Sequence, residues 1–275
     1  MLKTEMCNEL SKNIDRASTK EILEIIQSEN INAAIAVGNA IDSIEKACDA
    51  ISEGMKNGGH LYYIGAGTSG RLGVLDASEC PPTFGVTPDT VVGIIAGGDK
   101  CLRSAAENAE DKGENGIKDI SNFNINENDT VVGISVAGGA SYVLEALKYA
   151  KKQGATTIGL TSNNDSPLAK ESDICIFTDT GAEVITGSTR MKAGSAHKMV
   201  LNMLSTTAMI KMGYVYENYM INLKPTNIKL KDRTIRIVAD ITKLEYEKAT
   251  ELLENNEWNI KKALNAFNIN IQEEN

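Results

Sequence analysis

Five short β-rich runs alternate with helical patterns through the middle of the chain. Strands are predicted at residues 61–64, 91–95, 131–136, 156–160 and 174–177, with helices near residues 71–79, 101–112 and 142–153. Runs that are apolar throughout and separated by helices are typical of a parallel sheet covered on both faces. The sequence therefore predicts an α/β fold with a central parallel sheet. In such sheets ligands bind where the carboxyl ends of the strands lead into helices.

Helical patterns flank this region on both sides. Ser18 and Glu21 are spaced as a capping box and predict a short helix through Ile26, followed by a second helix over residues 31–51. A long helix is predicted near residues 190–211, and a polar connector follows at residues 218–233. Three short amphipathic patterns, near residues 234–241, 245–255 and 259–267, predict a small three-helix module similar to ubiquitin-associated bundles. The predicted divisions are residues 1–57, 58–230 and 231–275.

The charge and the cysteine and histidine content of the chain limit the kinds of partner and site that it can have. A net charge of −9 over 275 residues argues against nucleic acid or an anionic membrane as the main partner. The chain shows neither a signal peptide nor a run of membrane-helix length, so we expect a cytoplasmic protein. Five scattered cysteines fit reduced thiols, and two histidines give little support to a metal site or a Ser-His-Asp triad.

A glycine-rich loop follows the first predicted strand, at residues 65–71 (Gly-Ala-Gly-Thr-Ser-Gly-Arg). Glycines let backbone N–H groups approach a ligand, and a helix N-terminus attracts anions. The spacing also suits a dinucleotide, but the acidic residue expected about 20 residues on is poorly matched by Asp99, which follows a Gly-Gly pair. Hydroxyls and a cation favour a sugar phosphate instead. The candidate binding residues are Gly67, Thr68, Ser69 and Arg71.

Two further loops lead into predicted helices. Residues 135–142 (Ser-Val-Ala-Gly-Gly-Ala-Ser-Tyr) offer glycine N–H groups and two serine hydroxyls, although the loop is apolar for a phosphate site. Residues 186–192 open the long helix with hydroxyls and two cations, and they form a third candidate anion site. The candidate binding residues in these loops are Ser135, Gly138, Gly139, Ser141, Ser188, Thr189, Arg190 and Lys192.

Two carboxylates are candidates for acid/base chemistry. Glu79 precedes Pro81 and Pro82, which we expect to end its helix. The negative end of the helix dipole, together with partial burial, would then raise the pKa of Glu79 toward the range of a general acid. Glu110 is the second candidate. The alternative for both is that they are solvated helix residues without a catalytic role.

Together these segments resemble the N-acetylmuramic acid 6-phosphate etherase family of the sugar isomerase (SIS) superfamily. The matching stretches are residues 13–15, 18–19, 65–73, 76–83, 109–111, 186–194 and 201–206, so the likeness covers nearly the whole chain. It implies a three-layer αβα SIS sandwich and removal of D-lactate from the C3 ether of the sugar, without metal or organic cofactor. By resemblance Glu79 is the principal acid/base and Glu110 the second. The family also implies a homodimer whose sites take residues from the partner subunit.

One loop departs from the family pattern. The family usually has Ser-x-Ser-Gly-Arg-Thr-Pro-Tyr at residues 135–142, where hydroxyls hold the sugar phosphate. Here Ala137, Gly139 and Ala140 stand in place of the second Ser, the Arg and the Thr. Each hydrogen bond lost to a charged phosphate costs roughly 1.5–3 kcal/mol. The resemblance therefore implies an intact catalytic pair beside a weakened phosphate site.

Three other functions compete with the etherase. A non-catalytic sugar-phosphate-binding SIS protein would explain the altered loop, whereas the presence of both glutamates favours an enzyme. A sugar-phosphate isomerase would release no lactate. A nucleotide-binding dehydrogenase would bind NAD. Release of D-lactate separates the etherase from all three.

Overall fold

A computed structural model describes residues 2–104, 108–225 and 227–271. Its main sheet has five parallel strands in the order β2-β1-β3-β4-β5. A small antiparallel pair, β6 and β7, follows. The strands are β1 Leu61–Gly65, β2 Val91–Ile95, β3 Thr130–Ile134, β4 Thr156–Thr161, β5 Ile174–Phe177, β6 Val215–Tyr216 and β7 Tyr219–Met220. The described α-helices are α1 Thr19–Gly38, α2 Ile41–Lys56, α3 Gly67–Phe84, α4 Gly113–Ser121, α5 Ser141–Lys152, α6 Pro167–Glu171, α7 Lys192–Lys211, α8 Ile228–Thr242, α9 Tyr246–Glu254 and α10 Ile260–Ala266.

Helices cover both faces of the parallel sheet. Leu61 and Tyr63 of β1 point into a core shared with α1, α2, α3 and α7. Tyr62 and Ile64 point to the other face, where α4, α5 and α6 pack. Because successive side chains of a strand alternate between faces, one strand supplies both cores. The predicted three-layer α/β architecture is confirmed, and each of the five predicted strands is present.

The two N-terminal helices divide at a different point from the prediction. Helix α1 begins at the predicted capping box but continues to Gly38, past Ile26, where the first helix was predicted to end. Glu29 in this stretch is buried and forms an ion pair with Lys192 of α7. Because the charge of Glu29 is paired, this residue can be buried within a continuous helix. The helix ends at Gly38, and Asn39 is its C-cap.

The helix predicted near residues 101–112 is wrong in position. A 3₁₀ turn spans Asp99–Leu102, residues 105–107 lie outside the described part of the chain, and α4 begins only at Gly113. Glycines disfavour helix, yet Gly116 lies so close to α5 that an added Cβ would approach the carbonyl oxygen of Tyr142 at 2.0 Å. Close helix packing therefore explains a helix that propensity argues against.

Three helices form the C-terminal module around their own core. Buried residues from α8, α9 and α10 meet there, among them Val238, Leu253 and Leu264. Helix α8 starts inside the predicted polar connector, because the Asn227 side chain accepts from the Leu230 N–H at 2.8 Å and caps it. Across the described ranges no helix has the length and apolarity needed to span a bilayer.

Candidate functional site

The first and third candidate loops meet at the carboxyl edge of the sheet. The loop at residues 65–71 leaves β1 and opens α3, with Gly67 at a φ of 56°. The methyl group of Thr68 lies 3.6 Å from the position of a Cβ added to Gly194, in the first turn of α7. The N-terminal turns of α3 and α7 are therefore neighbours.

A cavity of about 330 Å³ opens between these two helices. It brings together Thr68 and Arg190, which were both predicted, and adds Lys198, which was not. Lys198 follows Gly194 by one turn of α7, so helical spacing from the predicted loop is the signal that identifies it. The full lining is Thr68, Leu72, Arg190, Gly194, Ser195, Lys198 and Met199.

The side chain of Arg71 turns toward the segment after β2. Its Nε donates to the Leu102 carbonyl at 3.1 Å and its Nη2 to the Ser104 carbonyl at 3.2 Å. The guanidinium therefore holds this segment against α3. Its role as a substrate-binding cation stays a prediction.

The N-terminus of α7 already holds an internal carboxylate. Glu183 is buried and accepts from the backbone N–H of Lys192 at 3.1 Å and of Ala193 at 2.9 Å. The Lys192 ammonium forms a buried ion pair with Glu29. Burial raises the pKa of Glu183, and the two backbone hydrogen bonds oppose that rise. Of the four candidate binding residues in this loop, Lys192 is therefore engaged in contacts within the protein.

The second candidate loop borders a larger cavity, of about 780 Å³. Gly138 has a φ of 71°, and an added Cβ would lie 2.2 Å from Ser166 Oγ. Its N–H donates to Ser135 Oγ at 3.1 Å, so this serine folds the loop. Gly139 has open space around it. The cavity is lined by Leu2, Lys3, Ala137, Gly139, Ser162, Asn163, Asn164, Asp165, Ser166, Pro167 and Phe177.

Glu79 lies far from the first loop within its own chain. It is exposed on α3 and comes 12 residues after Gly67, which corresponds to about 18 Å along a helix. The prediction that Pro81 and Pro82 end this helix is wrong, because α3 continues through both to Phe84 and ends at Gly85 with a φ of 68°. Proline keeps a helical φ, so a helix can continue through it where the missing N–H and the clash with the carbonyl four residues earlier are accommodated. The helix end and burial that were expected around Glu79 are both absent.

Glu110 lies beside the second loop. It is exposed in a turn before α4, and its carbonyl oxygen accepts from the Tyr142 N–H at 2.9 Å. This bond places Glu110 at the first turn of α5, where Ser141 also lies. Within the described residues no three His, Cys, Asp or Glu side chains gather as a metal site.

Family models match three parts of the chain. The model of the glucokinase regulatory protein N-terminal SIS domain matches residues 43–151, that of the SIS domain residues 102–212, and that of a UBA-like domain residues 238–267. A phosphoheptose isomerase from Francisella tularensis has a similar fold, with a TM-score of 0.56 at 20% identity over 70% of this chain and 100% of that chain. A phosphoheptose isomerase from Neisseria gonorrhoeae has a TM-score of 0.50 at 16% identity, over 70% of this chain and 98% of that chain. These structures support the SIS fold.

Curated relatives match almost from end to end. N-acetylmuramic acid 6-phosphate etherase 1 of Bacillus licheniformis is 51% identical over 96% of this chain and 86% of its own length. The N-acetylmuramic acid 6-phosphate etherase of Clostridium botulinum (strain Okra) is 52% identical over 94% of this chain and 86% of its own length. With an SIS sandwich, a UBA-like module and this identity, the chain belongs to the N-acetylmuramic acid 6-phosphate etherase family.

Proposed function

We propose that this chain is a lyase that cleaves the D-lactyl ether of N-acetylmuramic acid 6-phosphate. The products are N-acetylglucosamine 6-phosphate and D-lactate, and the reaction serves recycling of cell-wall amino sugars in the cytoplasm. The observation that carries the proposal is 51% identity with the Bacillus licheniformis etherase over 96% of this chain. Glu110, exposed beside the first turn of α5, is compatible with this chemistry.

The reaction needs one carboxylate to remove a proton and a carboxyl group to donate one. With the sugar ring open, the C2 proton lies α to the C1 aldehyde and is acidic enough for a carboxylate base. The C2–H bond breaks, a C2–C3 double bond forms, and the lactate oxygen leaves C3 and takes up a proton. Water then adds to C3 while C2 is reprotonated. We assign the principal acid/base role to Glu79 and the second role to Glu110.

We propose further that the enzyme is a homodimer with shared sites. Glu79 is about 18 Å along α3 from the loop that opens it, so it is poorly placed to serve that loop in its own chain. Leu75, one turn before Glu79 on the same helix, is 48% exposed although apolar. Apolar side chains of α1 are exposed as well, including Leu23, Ile31 and Ile35. Exposed apolar side chains of this kind suit burial against a second copy, which would bring Glu79 to the partner's loops.

The test is to incubate the purified chain with N-acetylmuramic acid 6-phosphate and measure both D-lactate and N-acetylglucosamine 6-phosphate. The etherase predicts the two products in equal amounts. In deuterated water it also predicts one deuterium at C2 of the product. Binding without lactate release would indicate the non-catalytic sugar-phosphate sensor and would contradict the proposal.

A further inference from the structure

The loop after β3 offers a phosphate backbone N–H groups but few side chains. The N–H groups of Gly139, Ala140 and Ser141 donate to no acceptor within the described part of the chain. They open α5, and the positive end of a helix dipole favours an anion. The side chains of Ala137, Gly139 and Ala140, however, supply neither a hydroxyl nor a charge.

Among the described residues that line the cavity at this loop, one is a cation, and it comes from the N-terminal segment. Lys3 lines the same cavity as Ala137 and Gly139. Asp165 lines it too, and its negative charge opposes a phosphate. The rest of the lining is apolar or carries neutral amides and hydroxyls, such as Asn163 and Ser162. A dianionic ligand in this cavity therefore depends on Lys3 for opposite charge.

Buried contacts fix the N-terminal segment beside the loop. Thr4 is fully buried, and its hydroxyl accepts from Asn163 Nδ2 at 3.4 Å. The same amide nitrogen donates to the Val136 carbonyl in the loop at 2.9 Å. Asn163 thus connects the residue after Lys3 directly to the loop. Lys3 is held at the cavity by a neighbour with its own buried partner.

The ion pair that Lys3 forms with Asp179 is weak enough for a ligand to replace Asp179. Its Nζ lies 2.6 Å from Asp179 Oδ2, but the two side chains are 58% and 43% exposed. Exposed ion pairs are weak because water screens them. A phosphate that also binds the α5 N–H groups would compete well for the same ammonium.

We propose that Lys3 binds the phosphate of the substrate and compensates for the missing cation at residue 139. The inference rests on the proposed function, since it assigns the sugar phosphate to this cavity. Lys3 swings from Asp179 to the phosphate when substrate binds at the α5 N-terminus. Asp179 then acts as a competitor of the substrate for the same ammonium.

The experiment compares Lys3→Met and Asp179→Asn with the wild-type chain, and uses Lys12→Met as the matched control. Lys12 is an exposed lysine of the same segment whose ammonium lies 3.7 Å from Glu9. Loss of a charge-assisted bond to phosphate predicts that Lys3→Met raises KM about tenfold or more with little change in kcat. The inhibition constant of inorganic phosphate should rise in parallel. Asp179→Asn should lower KM, and Lys12→Met should leave it within about twofold.

Two outcomes overturn the assignment. In the first, KM of Lys3→Met stays within about twofold of wild type. In the second, KM rises equally in Lys3→Met and Asp179→Asn, so that the ion pair only positions the segment. Lactate release by the wild-type chain tests the proposed function separately. If none occurs, titration with N-acetylglucosamine 6-phosphate by calorimetry tests Lys3 by itself, and unchanged affinity in Lys3→Met contradicts its role.

Discussion

The backbone N–H of Tyr142 donates a 2.9 Å hydrogen bond to the carbonyl oxygen of Glu110. Tyr142 is itself fixed, since it is fully buried and its hydroxyl donates to Asp119 of α4 at 2.7 Å. The backbone of Glu110 is therefore attached to the first turn of α5, next to the loop that borders the larger cavity. Glu110 and the altered loop form one unit within a single chain.

Replacing Glu110 by glutamine removes a proton donor and acceptor while keeping its size. General acid/base groups contribute about 10²–10⁴-fold to rate, so we expect kcat for lactate release to fall by about that factor. Asp111→Asn changes the adjacent exposed carboxylate and serves as the control. Equal activity of the two variants would contradict the role of Glu110. Circular dichroism should show both folded, because both residues are exposed.

The adjacent glycines of the altered loop should respond oppositely to substitution. Gly138→Ala places a Cβ 2.2 Å from Ser166 Oγ on a backbone with a φ of 71°, so we expect loss of substrate binding. Gly139→Arg has open space and adds a cation beside the α5 N–H groups. Its KM should fall by about tenfold. Measured KM values that rise in Gly139→Arg would contradict the location of the phosphate.

Replacing either partner of the buried ion pair between Lys192 and Glu29 should destabilise the fold. Lys192→Met leaves Glu29 and Glu183 buried with no cation between them, and we expect a loss of about 3–5 kcal/mol in unfolding free energy. Glu29→Gln should lower the unfolding free energy by less. The Lys192 ammonium still interacts with the charge of Glu183, and the glutamine amide oxygen can still accept a hydrogen bond. Urea unfolding measures both. A larger loss in Glu29→Gln would contradict this arrangement.

His197 should make stability depend on pH. Burial lowers its pKa to about 3, its Nδ1 has no partner in the described residues, and its Nε2 lies 3.4 Å from Ser162 Oγ. Between about pH 3 and 6.5 the unfolded chain binds this proton and the folded chain does not. Stability therefore falls as pH drops below 6.5, by roughly 1.4 kcal/mol per unit.

The control for this effect is His197→Gln, which cannot titrate. Urea unfolding at pH 7 and pH 5 should show a smaller loss of stability in the variant than in the wild type. Equal losses in the two proteins would show that other groups carry the acid sensitivity.

The sheet could be predicted from the sequence because its strands are apolar throughout and separated by helices. The pattern at residues 91–95 coincides with β2, and the capping box at Ser18 begins α1 as expected. Helix ends were harder, because tertiary contacts decide them. Asn222 Nδ2 donates to the Phe84 carbonyl at 2.8 Å, and Gly85 fits against the Asn222 carbonyl, so the end of α3 depends on residues distant in sequence.

The sequence predicted which loops form the candidate site, but it did not predict the side-chain contacts within it. The loops at residues 65–71 and 135–142 lie where β1 and β3 end, and residues 186–192 lead into α7. Nothing in the spacing indicated that Glu183 would occupy the α7 N-terminus, or that Arg71 would hold backbone carbonyls. Lys3 was missed because its position depends on the buried side chain of Thr4, nearly 160 residues from its partner Asn163.

In the proposed homodimer, each site combines Glu110 of one protomer with Glu79 of the other. The direct test mixes Glu79→Gln with Glu110→Gln, each inactive alone, after subunit exchange. A mixed dimer then holds one site with both glutamates intact, so lactate release should recover to about a quarter of the wild-type rate. If both variants are inactive alone and their exchanged mixture also releases no D-lactate, the two glutamates act within one chain and the shared site is contradicted.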